Sequence, residues 1–564
     1  MPVLTALVFT VALAAAVHQP LSDASARELM LAGGALAICS DLSPRACREA
    51  RVGGRQAARY RLDEAGMARA VDPALWHAGR GPGVAALALM LDAARESLAG
   101  HAGTAEGVDV ATLEAALEGV CLAANCAESD PRRPWSQLLD VERSAILSAL
   151  EIPQRASARE RVREGAAPAL SQAEGGVQVL REFVAAAARR TSGRPRIAVV
   201  TASAHDPMDP VDFYRSAFRA LGAEAAWWPV DAAVAAARFE VRDCAALPRL
   251  RRERLQLSQR ERIYPDLAVE QTAFCLTEAP MLADVHAVFF AGGDQWRLRR
   301  AFVDAGDAPN PWLVELREAH AAGRLVVGGT SAGAAVQSGS WMLGNGSVAA
   351  ALAQPVSTAP PPEPGCARGN RCGAVDAEQL SLWPAGGLGL AEGAIVDTHF
   401  SERARELRLL LAMQAADARW AYGADETSAL HLREADGRRE IRAIGAQGGW
   451  VFHRPTGEDA REGVMAWYLV PGASLRIEGD KVSLQRDAGA ERARQPADAV
   501  PASALDPGAL RAAAQQLAWR CARGLKLTAG TRRAELRCLK GAQSWRSTTG
   551  GQGVGPLQLR LLGE

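Results

Sequence analysis

Short apolar runs alternate with helical stripes along most of this chain, the rhythm of a parallel sheet with right-handed crossovers. Residues 196–200 (Arg-Ile-Ala-Val-Val), 284–290 and 325–327 (Leu-Val-Val) each read as a buried strand stopping at small residues. An earlier strand, Leu29-Met30-Leu31-Ala32, runs into Gly33-Gly34. Helices are predicted between strands at 210–221, capped by Gly222, and at 311–322. Downstream, Ile395-Val396-Asp397-Thr398-His399-Phe400 is a strand ending on a histidine. A single helix is predicted over 400–416 and a β-hairpin over 441–452 around Gly448-Gly449.

Residues 40–191 interrupt this rhythm. Apolar positions there recur at helical spacing, Leu87, Met90, Leu91, Ala94 and Leu98 forming one stripe, so the segment reads as a helical insertion with packing surfaces. Further on, residues 357–370 are rich in Pro and Gly and read as a surface loop, and 487–508 read as a linker. The organisation expected is a signal peptide at 1–16, an α/β catalytic domain at 27–39 and 192–476, the insertion at 40–191, and a small C-terminal extension at 477–564.

Lys plus Arg and Asp plus Glu number 64 each, so no global field favours nucleic acid or an anionic membrane. Residues 1–16 are uncharged, mostly apolar, too short to span a bilayer and end in Ala14-Ala15-Ala16, a secretory signal pattern. Ten cysteines fall into neighbouring couples: Cys39 with Cys47, Cys121 with Cys126, Cys244 with Cys275, Cys366 with Cys372, and Cys521 with Cys538. In an exported chain that arrangement implies disulfides and a secreted or periplasmic location. No C-x-x-C and no histidine pair at ligand spacing occurs, so no metal is expected. Gly33-Gly34 lacks the flanking residues of a phosphate loop, so neither nucleotide nor other cofactor is expected.

Chemistry enters with Gly329-Thr330-Ser331-Ala332-Gly333, set between the strand at 325–327 and a helix start. Small residues around a central serine on such a turn make a nucleophile elbow, which lifts the hydroxyl out at the strand end. A serine needs a base to take its proton, and His399 at another strand end is the candidate. An esterase of the α/β-hydrolase class would also have G-x-S-x-G, but its His-Gly-Gly-Gly oxyanion loop is absent.

Three stretches in order, Phe289-Phe290-Ala291-Gly292-Gly293-Asp294-Gln295, the elbow, and Asp397-Thr398-His399-Phe400 followed by Arg403, Arg405 and Arg408, resemble the cyanophycinase family of serine peptidases. The resemblance implies an α/β fold with a mostly parallel sheet and flanking helices, a three-layer sandwich of the class I glutamine-amidotransferase type. It implies Ser331 and His399 as catalytic residues, an oxyanion hole from the amides of Gly293 and Ala332, and substrate contacts from Gln295, Asp397, Arg403, Arg405 and Arg408. Thr398, Ala404 and Leu407 depart from the family pattern, standing where a Gln and two Gly are usual. No carboxylate occurs in residues 341–347, where the family's third triad member is expected, so Glu363, Asp376 and Glu378 are the candidates, with a Ser–His dyad or an inactive relative as alternatives. The implied activity is release of β-Asp-Arg dipeptides from cyanophycin. The alternatives are an exported serine peptidase for other Asp-containing peptides and a binding pseudoenzyme. The expected partner is a peptide or polymer substrate, with a homodimer allowed, no nucleic acid, and no membrane once the signal is removed.

Overall fold

The structure, a computed structural model, describes residues 26–49, 54–73, 83–99, 106–122, 134–138, 140–278, 282–361, 375–376, 378–455, 463–487, 491, 500–519, 524–547 and 551–562. The expected signal peptide, most of the Pro-rich loop and Glu363 lie outside them.

The strands in chain order begin with β1 (Arg27–Ala32), β2 (Arg196–Val200), β3 (Glu224–Trp227), β4 (Ala287–Phe290) and β5 (Val326–Thr330). These five run parallel in the order β1-β5-β4-β2-β3. Next come the hairpin of β6 (Met342–Asn345) and β7 (Ser381–Trp383), then β8 (Ala394–Thr398), β9 (Trp420–Ala424), β10 (Ser428–Ala435), β11 (Arg438–Gly445), β12 (Gly449–His453) and β13 (Val464–Leu469). The set closes with β14 (Ala473–Glu478), β15 (Lys481–Arg486), β16 (Leu525–Ala529), β17 (Arg532–Arg546) and β18 (Gln552–Leu562). On the far side of β1, strands β10, β11, β14 and β15 extend the first sheet, all antiparallel, to nine strands among the described residues. A second sheet, ordered β16-β17-β18-β13-β12-β9-β8, has one parallel pair, β8 with β9.

The expectation of a mostly parallel sheet is therefore corrected. Parallel pairing is confined to β1-β5-β4-β2-β3 and to β8 with β9, whereas every strand after residue 424 pairs antiparallel with its neighbours. The expected hairpin at 441–452 is also corrected: β11 pairs in the first sheet and β12 in the second. Gly448 marks the switch, since a Cβ there would lie 2.0 Å from the Leu469 carbonyl oxygen.

One face of the parallel strands is covered by the helices Glu174–Ala188 and Val211–Ala220, with Phe183, Phe218 and Phe289 packed edge to face between them. Helix Glu174–Ala188, which lies within 40–191, thus packs on the parallel strands and not with the insertion helices upstream. The insertion helices farther upstream bury their own core around Leu87, Met90, Leu91, Leu113 and Trp135. The opposite face of the parallel strands shares one core with helices Pro311–Ala321 and Glu406–Ala416 and with the second sheet. That core includes Leu517, Leu527, Trp545 and Leu557, so the C-terminal segment is built into the second sheet instead of hanging from a linker. Disulfides join Cys39 to Cys47 and Cys244 to Cys275, and Cys121 and Cys538 are also disulfide-bonded. Cys126, Cys366, Cys372 and Cys521 lie outside the described residues.

Candidate active site

The end of β1 is the hub on which the site is assembled. Its three carbonyls each take one amide from a different segment: Ala32 from Ser331 at 2.9 Å, Gly33 from His399 at 2.8 Å, and Gly34 from Thr427 at 3.0 Å. Gly33-Gly34, which at first sight suggests only a turn, is thus the rail that holds the elbow, the histidine and the turn after β9 at fixed spacing. Gly34 has φ +109°, and a Cβ there would sit 2.3 Å from His399 Cε1. No other residue fits beneath the imidazole ring.

Ser331 has φ 53° and ψ −123°, the sharp turn expected of an elbow. The glycines around it are forced by proximity: a Cβ on Gly329 would lie 2.2 Å from the Gly333 oxygen, and one on Gly333 2.2 Å from the Phe290 oxygen. His399 also has a positive φ, 49°. Non-glycine residues held this way cost on the order of 1–3 kcal/mol each and persist only where the surroundings enforce them.

Ser331 Oγ lies 2.7 Å from His399 Nε2, and His399 Nδ1 lies 2.7 Å from Glu426 Oε1. The partner of the histidine is therefore Glu426, and neither Asp376 nor Glu378. Of those, Asp376 Oδ1 accepts the Glu378 amide at 2.8 Å, closing its own turn. Glu426 follows β9 directly, in Gly423-Ala424-Asp425-Glu426-Thr427, at the crossing from the second sheet back to the first. Its signal in the sequence was an Asp-Glu pair at the end of an apolar strand, a third strand end beside those of Ser331 and His399. The family resemblance pointed to the segment after the serine, and only the pairing of β8 with β9 brings Glu426 alongside His399.

Burial lowers the His399 pKa below its ordinary value; Glu426 opposes this and the Arg403 and Arg405 charges add to it. The imidazole is thus neutral at neutral pH and free to accept a proton. It is held as a base with Nδ1–H donated to Glu426, the tautomer that leaves Nε2 facing Ser331 Oγ.

A cavity of about 180 Å³ opens over Ser331 and His399 and is lined by Gly293 and Ala332, whose amides are the oxyanion candidates. The di-glycine turn is clamped from β2: Ser203 Oγ donates to the Ala291 or Gly292 oxygen at 2.7 and 2.8 Å, and the Asp294 amide donates to the Ser203 oxygen at 2.8 Å. Gly293 has φ +144°, and a Cβ there would lie 2.1 Å from that same Ser203 oxygen. Gln295 opens the following helix and reaches the cavity wall, its amide donating to the Leu343 carbonyl at 2.9 Å. A larger groove of about 580 Å³ runs past Arg194, Arg219 and Asp284 at the other end of β2 and β3, and brings together no nucleophile and base.

Arg403, Arg405 and Arg408 all line the cavity, but not from one helix. Ser401–Arg403 is a 3-10 turn, Ala404 is left-handed with φ 50°, and the α-helix runs from Glu406 to Ala416. The single helix expected over 400–416 is broken because Ala404 must redirect the chain; the Arg403 amide still donates to the His399 oxygen at 3.2 Å. Asp397 is buried and bound at both oxygens by Arg408, at 2.7 Å each, with Arg405 at 3.3 Å. It is thus occupied as the counter-charge of two arginines. Burial would raise its pKa, yet Arg408 and Arg405 hold it below the ordinary carboxylate value. Arg405 is lowered to about 10, by burial and by its two arginine neighbours against Asp397. The Arg403 side chain is exposed and makes no hydrogen bond or ion pair among the described residues. Three guanidiniums face one carboxylate, so the wall beside His399 carries excess positive charge, a setting for an anionic group.

Comparison with known proteins follows the same lines. No protein-family model matches the chain. It is 32% identical over 160 residues to cyanophycinases of Synechococcus elongatus and Thermosynechococcus vestitus, which is 28% of this chain and 39% of each relative. It is 36% identical over 140 residues to a cyanophycinase of Geminocystis herdmanii, 25% of this chain and 40% of that one. The similarity to cyanophycinases is thus confined to part of the chain. The chain spans about two fifths of the length of the curated relatives it matches. A solved peptidase from an acI-B1 Actinobacterium overlays with a TM-score of 0.28 and 16% identity over 54% of this chain and 90% of that one, too slight to carry an inference.

Proposed function

We propose that this chain is a serine peptidase that hydrolyses cyanophycin, or a closely similar aspartate-backbone polymer, to β-Asp-Arg dipeptides. The observation that carries the proposal is the relay Ser331 Oγ to His399 Nε2 to Glu426, with both contacts at 2.7 Å on an elbow held by β1. In this reading Ser331 Oγ attacks the scissile carbonyl while His399 takes its proton. The ester bond forms, the peptide C–N bond breaks, and His399 returns the proton to the leaving amine; water then repeats the sequence on the acyl-enzyme. The amides of Ala332 and Gly293 face the developing oxyanion, where each such donor is worth about 3–4 kcal/mol of barrier. The arginine wall grips a substrate carboxylate, with Arg403 the most accessible of the three. The complete relay favours catalysis over a binding pseudoenzyme. Export to the periplasm or beyond fits the disulfides, and scavenging of polymer released by other cells fits both.

The test is clearing of insoluble cyanophycin by the purified protein, with release of β-Asp-Arg followed by mass. Ser331→Ala is expected to abolish hydrolysis without loss of fold; substantial residual turnover in that variant would overturn the proposal.

A further inference from the structure

The C-terminal segment, which the sequence left without a role, reaches the back of the catalytic relay. Helix Ala509–Trp519 packs beside the 3-10 turn Ser401–Arg403, and the Gly508 amide donates to the Ser401 oxygen at 2.6 Å. From this helix Arg511 Nη1 bonds Glu402 Oε1 at 2.5 Å and Asp425 Oδ2 at 3.0 Å. The other oxygen of each carboxylate holds an amide of the opposite turn. Glu402 Oε2 accepts from the Glu426 amide at 3.1 Å, and Asp425 Oδ1 accepts from the Ser401 amide at 2.9 Å. The turn that follows His399 and the turn that presents Glu426 are thus cross-linked by two reciprocal carboxylate–amide bonds, and one guanidinium bridges the two carboxylates.

We infer that Arg511 is a positioning residue for catalysis, holding Glu426 against His399 from the far side of the acid turn. The inference rests on the serine-peptidase reading above and deepens it.

Electrostatics gives the bridge its necessity. Asp425 is fully buried, and Glu402 and Glu406 stand beside it. Burial and the Glu402 charge push Asp425 up to about 6, with Arg511 opposing them. Burial, with Asp425 adding to it, pushes Glu406 up to about 8. Tyr468 donates to Asp425 Oδ2 at 3.0 Å, but brings no charge. Without the guanidinium the Glu402 and Asp425 carboxyl groups lose the charged group that ties them together, and the two turns they join are free to move apart. Glu426 travels with its turn, and its bond to His399 Nδ1 lengthens.

The experiment uses the full chain and a fluorophosphonate probe, which phosphonylates an activated serine as fluoride leaves and the Oγ proton passes to the base. Wild type is expected to label at Ser331. Arg511→Gln is expected to label on the order of 10- to 100-fold more slowly, the effect of a small displacement in a catalytic constellation. Arg511→Lys should recover part of that rate, because it restores the charge on a shorter side chain that does not reach both carboxylates as well. The acid limb of the labelling profile should move to lower pH in Arg511→Gln, since His399 loses the partner that holds its pKa up against burial, Arg403 and Arg405. Glu402→Gln breaks the same bridge from its other end; it should slow labelling in the same direction and carries the test if Arg511→Gln does not fold. Folded Arg511→Gln or Glu402→Gln protein that labels at the wild-type rate, with an unchanged pH profile, overturns the inference and leaves the serine reading standing. A wild-type protein that takes no label at Ser331 overturns the serine reading, and this inference falls with it.

Discussion

Replacing Glu426 by glutamine isolates the charge on the third member of the relay. The side chain keeps its shape, but the oxygen facing His399 Nδ1 at 2.7 Å becomes half of a neutral amide. In the transition state the imidazole is protonated, and the lost term is the attraction between imidazolium and carboxylate. Two unit charges about 4 Å apart interact by about 4 kcal/mol at an effective dielectric near 20. Glu426 is 31% exposed and His399 12%, so solvent screens part of this; roughly 2–4 kcal/mol remains. At about 1.4 kcal/mol per decade that is a loss of about 30- to 1000-fold in kcat/KM. KM should change little, because Glu426 lies behind His399 and outside the substrate cavity. The sign of the pH effect follows from the direction of the His399 shift. Burial already lowers its pKa and Glu426 works against that, so the limb on which the base becomes deprotonated should lie below pH 6.5 in wild type and lower still in Glu426→Gln. The assay is initial-rate dipeptide release across pH, for wild type and variant, with melting temperature as a check on folding. A loss under about fivefold, no more than a surface ion pair is worth, would refute Glu426 as the residue that holds the base.

Three further outcomes are expected. Arg403→Lys keeps the charge but loses the planar fork, and should cost about 1.5–3 kcal/mol in kcat/KM, while the same change at Arg419, whose guanidinium pairs with exposed Asp480, should change nothing; equal kinetics in the two would remove Arg403 from the substrate site. Gly34→Ala places a methyl 2.3 Å from the His399 ring in a strained backbone conformation, so turnover should collapse while far-ultraviolet circular dichroism changes little; near-normal turnover would mean that β1 does not seat the base. Reduction of Cys244–Cys275, which closes a loop with a sequence separation of 31, should destabilise the fold by roughly 3–4 kcal/mol, read as a lower denaturation midpoint in thiol reductant, and an unchanged midpoint would show that the bridge adds no stability.

The alternation of apolar strands and helical stripes by itself determined the parallel core, because each strand there except the edge strand β3 is buried on both faces and each crossover needs a helix to cover it. The elbow was equally legible: a serine between glycines at a strand end is a local feature, and its tight turn needs only neighbours in sequence. The same holds for His399 at the end of β8 and for Gly293 at the end of β4. What only the tertiary structure decided is what depends on pairing between distant segments. Residues after 424 run as alternating strands whose pattern does not say which sheet they join. Gly448 sends β12 to the second sheet while β11 stays in the first, and no local signal distinguishes that from a hairpin. Glu426 became a partner of His399 because β9 lies parallel to β8, a contact that hydrogen bonding sets and spacing does not reveal. The same is true of Asp397, whose carboxylate meets Arg408 across the turn at Ala404 and so balances charge inside the wall. Arg511 stands more than a hundred residues from His399 along the chain, and the folding of the C-terminal strands into the second sheet carries it to the back of the relay.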